Sequence, residues 1–77
     1  MTWTEIRVLY PNTWVMVEAR AWTTRTQKHL LLLTVVAHAP DPGTILRQAF
    51  QIVQRYPQRD LYLAHTSSPT LQMRAAP

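Results

Sequence analysis

The sequence contains no cysteine, a single glycine and only four acidic residues among its 77. Without cysteine, the chain forms neither a disulfide scaffold nor a thiolate zinc site. One glycine is far too few for a collagen-like or glycine-rich low-complexity protein. No uninterrupted apolar run is longer than residues 30–33, which is less than half of a membrane span. The sequence therefore predicts a globular protein without a transmembrane helix.

The first residues lack the basic region and the apolar segment of a secretory signal, so we expect a cytoplasmic protein. The length predicts a single domain over residues 1–77. At this size folding buries only about 60% of the surface that the unfolded chain exposes, and a monomeric core is marginal. Oligomerisation or unusually good packing is expected to add burial.

The chain is basic, with eight Lys and Arg against four Asp and Glu, a net charge of +4 and a pI near 10.4. This balance permits a polyanion as partner. The basic positions are 7, 20, 25, 28, 47, 55, 59 and 74. Because they are spread rather than clustered, a solvated basic surface is the favoured interpretation.

The first half of the chain predicts a short helix followed by two strands. Apolar residues at helical spacing indicate a helix over residues 2–10, which Pro11 ends. Residues 14–22 read as a strand with apolar residues on both faces. Polar residues 23–28 form the predicted hairpin loop, and residues 29–38 form a second strand that is apolar on both faces.

The second half predicts a helix, a third strand and a tail. Asp41 is a good N-cap for a helix over residues 42–56, and Pro57 ends that helix. The predicted apolar stripe of this helix is Ile45, Leu46, Ala49, Phe50, Ile52, Val53 and Tyr56. Residues 61–66 form the third strand, and residues 70–77 are expected to be a loose tail.

These elements predict an α+β fold of order α-β-β-α-β, with a three-stranded mixed sheet and one main helix packed on one face. The second and third strands, joined through the helix, are expected to run parallel by a right-handed crossover. The first strand in the centre (order 2-1-3) is preferred, while 1-2-3 fits the same pattern.

Alternation along the strands divides the predicted sheet into two apolar faces. We expect the main helix to cover Val15, Val17, Ala19, Leu31, Leu33, Val35, Leu61 and Leu63. The opposite face then predicts an interface of Trp14, Met16, Glu18, Arg20, Trp22, Leu30, Leu32, Val36 and Tyr62. Such a surface is too apolar to face water and is expected to be covered by the first helix, the tail or a second copy in a two-fold dimer.

Glu18 and Arg20 are two charges on one face of the first strand, between apolar neighbours. A buried or interfacial ion pair that fixes the register of a dimer explains them, because unpaired burial of charge is costly. An exposed pair at the edge of the sheet explains them equally well.

Polar residues follow the second and third strands and predict a candidate ligand cluster beside the start of the main helix: His38, Asp41, His65, Thr66 and Ser67. A structural role for these residues at turns is favoured over a ligand. His29 and His38 stand at opposite ends of one strand, so we expect no metal site. No nucleophile elbow or glycine-rich loop is present, so we predict neither an enzyme nor a bound cofactor.

A nucleic-acid interpretation is the alternative function. Trp14, Arg20 and Trp22 share one face of the first strand, and Tyr62 is expected beside them. Aromatic side chains on a sheet, with arginines around them, can stack the bases of single-stranded RNA. No aromatic motif of the RNA-recognition type accompanies them.

Residues 10–19 read Tyr-Pro-Asn-Thr-Trp-Val-Met-Val-Glu-Ala, the main helix ends Arg-Tyr-Pro, and the third strand ends His-Thr-Ser. In these motifs the chain resembles a family of small, uncharacterised bacterial proteins with the pattern Tyr-Pro-x-x-Trp-Val-x-Val-Glu. The resemblance implies a cytoplasmic protein without a known activity, and it points to Trp14, Glu18, His65 and Thr66. Some similar proteins are encoded beside a retropepsin-like protein, which favours a protein partner.

Together these observations predict a small non-enzymatic interaction module. We expect it to self-associate, or to bind a partner protein, through the apolar face of its sheet.

Overall fold

The computed structural model describes residues 1–21, 32–71 and 74–75 of the chain. Its elements are α1 (Trp3–Leu9), β1 (Trp14–Ala21), β2 (Leu32–Ala39), α2 (Pro42–Arg55), β3 (Leu61–His65) and β4 (Arg74–Ala75). The predicted α+β class and the order α-β-β-α-β are confirmed. No helix within the described ranges is long and apolar enough to cross a membrane.

Both helices begin at a side-chain cap and end before a proline. Thr2 and Glu5 form a capping box at the start of α1, and the Asp41 carboxylate accepts a hydrogen bond from the backbone N–H of Thr44 at the start of α2. Tyr10 and Tyr56 leave helical torsions because Pro11 and Pro57 follow them. The predicted helix ends are therefore one residue too long.

The sheet order is β2-β1-β3-β4, and every pairing is antiparallel. The preferred order with the first strand in the centre is confirmed, and the mixed sheet is wrong. β2 and β3 run in the same direction, as expected from the connection through α2, but β1 lies between them and opposes both. No parallel pair can form when the two codirectional strands are not neighbours.

The β1–β2 pairing contains an irregularity that shifts the faces of β2. Met16 opposes Ala37 and Val17 opposes Val35, so Val36 is an extra residue in β2. Such a bulge reverses the alternation of side chains beyond it. As a result Leu33 and Val35 share one face of the sheet, while Ala37 and Ala39 lie on the other.

Two apolar clusters form, one on each face of the sheet. Under α2 the buried residues are Met16, Ala39, Ile45, Ala49, Leu61 and Leu63. Under α1 they are Ile6, Val15, Val17, Leu33 and Ala64. α2 thus covers the Met16 face of β1, and the prediction that it covers Val15 and Val17 is wrong. Both faces of β1 are apolar, so alternation alone does not distinguish them.

The C-terminal segment contributes to the sheet. Leu71 packs against the cluster under α1, and Arg74–Ala75 pair with Leu63 and Tyr62. The tail is therefore not wholly loose. The predicted hairpin loop, residues 23–28, lies outside the described residues, as do Trp22 and residues 29–31.

Candidate functional site

Three residues of the predicted interface lie under α2 rather than on an open face. Met16 is fully buried, and Trp14 and Val36 pack against the same cluster. Met16, which its own chain buries completely, cannot contact a second copy, whereas Trp14 and Val36 are partly buried. Trp22, Leu30 and the side chain of Arg20 lie outside the described part of the structure.

The other three predicted interface residues are scattered. Tyr62 packs on the α1 face, opposite Trp14, so these two aromatic residues do not form the shared stacking surface of the nucleic-acid interpretation. Glu18 forms an ion pair with Arg59 at 3.2 Å. Leu32, at one end of β2, is 39% exposed. The single apolar interface expected from alternation is therefore not assembled on one face.

The candidate ligand cluster is divided by the sheet. The ring of His38 lies against Tyr10 on the α1 face, with 4.9 Å between ring centroids. The ring of His65 contacts Trp14 edge-on at 4.9 Å on the α2 face. Because β1 separates their strands, the two histidines do not converge. The described residues include no group of three or more His, Cys, Asp or Glu side chains that could hold a metal ion.

The remaining residues of the predicted ligand cluster, Asp41, Thr66 and Ser67, form hydrogen bonds at turns and at the start of α2. Thr66 is only 2% exposed, and its hydroxyl accepts a hydrogen bond from the N–H of Thr13 at 2.9 Å. Ser67 bonds the Nδ1 atom of His65 at 2.8 Å. Asp41 accepts hydrogen bonds from the N–H and hydroxyl of Thr44, and the backbone bond in particular lowers the pKa of Asp41. These contacts fix turns and a helix start.

The outer edge of β2 is one of the two outer edges of the sheet that the described residues form. β2 is an end strand of the sheet, and its eight residues, Leu-Leu-Thr-Val-Val-Ala-His-Ala, include no Lys, Arg, Asp, Glu or Pro. Met1 and Leu33 exchange two hydrogen bonds of 2.8 Å at this edge. An extended backbone therefore already docks on one position of the edge.

A groove lies beside this edge, between β2 and α2. Its volume is about 420 Å³, and its lining residues are Val36, Ala37, His38, Gln48, Gln51 and Ile52. We call this the edge groove. The side-chain oxygen of Gln48 is buried and has no hydrogen-bond partner among the described residues. An unsatisfied buried acceptor costs about 1–3 kcal/mol.

The opposite side of α2 carries exposed apolar side chains. Leu46 is 48% exposed and Phe50 is 55% exposed, while Val53, one turn further on, is half-buried. Spacings of four and three residues align them along one side of the helix, away from Gln48. We call these three residues the α2 stripe. All three belong to the apolar stripe predicted for the main helix, but the apolar arc of α2 is wider than its contact with the sheet.

Two acidic side chains, Glu18 and Asp60, are held by specific partners. Arg59 pairs with Glu18 and also stacks over the ring of Tyr56 at 4.8 Å. The hydroxyl of Tyr62 donates to Asp60 at 2.6 Å, and this hydrogen bond, together with lesser contributions from desolvation and the Asp60 charge, raises the pKa of Tyr62. Both contacts join the turn after α2 to the sheet.

The sequence matches no family model, no curated protein and no solved structure. The resemblance to the small bacterial family stays a prediction.

Proposed function

We propose that the protein is a non-enzymatic interaction module that pairs with a second copy of itself along the outer edge of β2. The observation that carries the proposal is the length and chemistry of that edge, which spans eight residues without a charge or a proline. Edge strands of this kind are templates for pairing with another chain, and natural proteins usually protect them with charges or prolines.

The two hydrogen bonds between Met1 and Leu33 support this proposal, because a backbone segment already pairs with one position of this edge. Alternation along an antiparallel strand directs the backbone of Val35 outward as well. Ala19 opposes Leu33, and its N–H donates to the carbonyl oxygen of Asp60 on the other side of β1. The backbone groups of this residue pair therefore face away from each other, as the alternation requires. The N–H and C=O of Val35 thus face the outer side of β2, where a partner strand can pair with them.

The edge groove supplies the second part of the proposed contact. The bulge at Val36 interrupts the regular edge, so backbone pairing alone is expected to be short. A second copy placed across a two-fold axis brings side chains against the residues that line the groove. Burial by association also compensates for the small core of a 77-residue chain.

Two charge variants test the proposal by solution mass. Leu32→Glu places a carboxylate on the edge strand, and Gln51→Lys places an ammonium group in the edge groove, where each is costly to desolvate. Light scattering on a size-exclusion column is expected to give a mass near twice 9.0 kDa for the unmodified protein and near 9.0 kDa for both variants.

Gln54→Lys is the matched control, since it makes the same change on the same helix at an exposed residue that does not line the edge groove. It is expected to remain a dimer. A monomeric unmodified protein would overturn the proposal. A dimer that both charge variants retain would show that copies associate through another surface.

A further inference from the structure

The regular part of the outer β2 edge is bounded on both sides of Val35. On one side Met1 already pairs with Leu33 through two backbone hydrogen bonds of 2.8 Å. On the other side the bulge at Val36 interrupts the ladder. Backbone groups of an edge strand face outward at every second residue. Val35 is therefore the first outward residue after Leu33 and the last one before the bulge.

Two-fold symmetry restricts how two copies of this edge can pair. In an antiparallel pair only outward-facing residues exchange hydrogen bonds, and the axis passes where a residue opposes its own copy. Two registers let Val35 pair with an outward residue between Leu33 and the bulge. In the first, Val35 pairs with Val35 of the second copy. In the second, Thr34 opposes Thr34 of the second copy, and Leu33 exchanges hydrogen bonds with Val35 of the second copy.

Met1 distinguishes the two registers. The register centred on Thr34 uses the outward groups of Leu33, so Met1 has to leave the edge, and its two hydrogen bonds are lost in each copy. The new Leu33–Val35 pairs only replace the backbone bonds that were lost, since each pair exchanges both of its bonds. The register centred on Val35 adds backbone hydrogen bonds and breaks none, so it is the more favourable of the two.

The bulge lets Met1 stay in place when the two copies pair. In the register centred on Val35, continued pairing would bring Ala37 of the second copy opposite Leu33, at the position where Met1 is bonded. The bulge at Val36 ends regular pairing just before that position. Met1 and the bulge are therefore compatible with the same short pairing.

We propose, on the basis of the proposed function, that Met1 and the bulge at Val36 fix the register of the dimer. Val35 of one copy exchanges both of its backbone hydrogen bonds with Val35 of the second copy across the two-fold axis. Met1 acts as a register-setting residue, because it closes the edge at Leu33 and leaves Val35 open to the partner strand.

Disulfide formation in single-cysteine variants tests this register, because the chain has no cysteine of its own. Directly opposed residues of antiparallel strands have Cα atoms about 4.5–5.5 Å apart, which a disulfide can bridge. Residues displaced by two positions are about 8 Å apart, which it cannot bridge. With glutathione disulfide as oxidant, Val35→Cys is therefore expected to form a covalent dimer and Thr34→Cys is not. In the register centred on Thr34 the two results are exchanged.

Gln54→Cys is the matched control, since its exposed thiol lies on α2 outside the edge groove and reports chance collisions. Oxidation of Val35→Cys to the covalent dimer is expected to be at least about tenfold faster than that of Thr34→Cys or of this control, because pairing raises the effective concentration of its two thiols. Circular dichroism and light scattering of the reduced variants verify that each is folded and dimeric.

NMR of the unmodified protein gives a second test that needs no substitution. Nuclear Overhauser contacts between Met1 and Leu33 are expected to persist at concentrations at which light scattering gives a dimer. A mixture of isotope-labelled and unlabelled copies distinguishes contacts within a copy from contacts between copies, and the Met1–Leu33 contacts are expected within a copy.

The two proposals fail in different ways. A monomeric unmodified protein would overturn the proposed function and the register with it. Three results obtained with a dimeric protein would overturn the register alone. They are faster cross-linking of Thr34→Cys than of Val35→Cys, equal cross-linking of these two variants, and loss of the Met1–Leu33 contacts on association.

Discussion

Thr66 offers a sharp test of the structure, because its buried hydroxyl joins two chain segments that are 53 residues apart. Replacement by valine keeps the shape of the side chain and removes the acceptor for the Thr13 N–H. Leaving a part-buried donor unpaired costs about 1–3 kcal/mol. We expect Thr66→Val to lower the free energy of unfolding by about 2 kcal/mol, which corresponds to roughly 8–16 °C in Tm for a domain of this size.

Urea denaturation followed by tryptophan fluorescence measures this change, at one fixed protein concentration because association would stabilise the folded state. Thr66→Ser is the control: it keeps the hydroxyl and loses one methyl group, for a cost of about 0.8 kcal/mol. A valine variant as stable as the unmodified protein would refute the structural role of this hydroxyl. So would a serine variant less stable than the valine variant.

Two further predictions concern titrating groups. Hydrogen bonds from Thr44 hold the folded-state pKa of Asp41 below its unfolded value, so the stabilisation is present above about pH 4 and is lost as the pH falls through the folded-state pKa. Asp41→Asn is expected to weaken the acid dependence of stability measured by urea denaturation between about pH 5 and pH 2, and an unaltered dependence would contradict this role. Asp60→Ala is expected to lower the pKa of Tyr62, monitored by the NMR signals of its ring, because the hydrogen bond that raises it is removed; an unchanged pKa would contradict that cause.

Local signals predicted the elements well. Pro11, Asp41 and Pro57 mark helix ends by short-range chemistry, and the helices of the structure end within one residue of the positions they predict. The order with the first strand in the centre was preferred from the sequence, which also fitted the order 1-2-3, and the structure has the preferred order. The prediction of a mixed sheet was wrong. β2 and β3 run in the same direction, as predicted, but β1 lies between them, so they are not neighbours and form no parallel pair.

The prediction of which face of the sheet α2 covers was wrong for β1, because this strand is apolar on both faces. Val15 and Met16 are both apolar and both fully buried, so no alternation shows which of them α2 covers. The extra residue Val36 then reverses the alternation within β2, and a bulge of this kind leaves no mark in the composition of the strand. In β3 the assignment of Leu61 and Leu63 to the α2 face was correct, because no bulge interrupts the alternation of side chains along this strand.

The candidate site was harder to predict than the fold, because it depends on what remains uncovered after packing. His38 and His65 were predicted to lie close together, because ligands often bind where the carboxyl ends of strands meet. In the structure β1 lies between their strands, and the two side chains lie on opposite faces of the sheet. Leu46 and Phe50 were assigned to a buried stripe, and only the position of α2 over the sheet shows them to be exposed.

Hydrogen exchange at the amide of Val35 tests pairing at the β2 edge most directly. In the proposed dimer this outward N–H is bonded to the partner strand, so we expect protection that increases with protein concentration and is lost in Leu32→Glu. The Leu33 amide, bonded to Met1 within the same chain, is the internal reference for a protected edge position. Free exchange of the Val35 amide at every concentration, while that of Leu33 stays protected, would contradict the account.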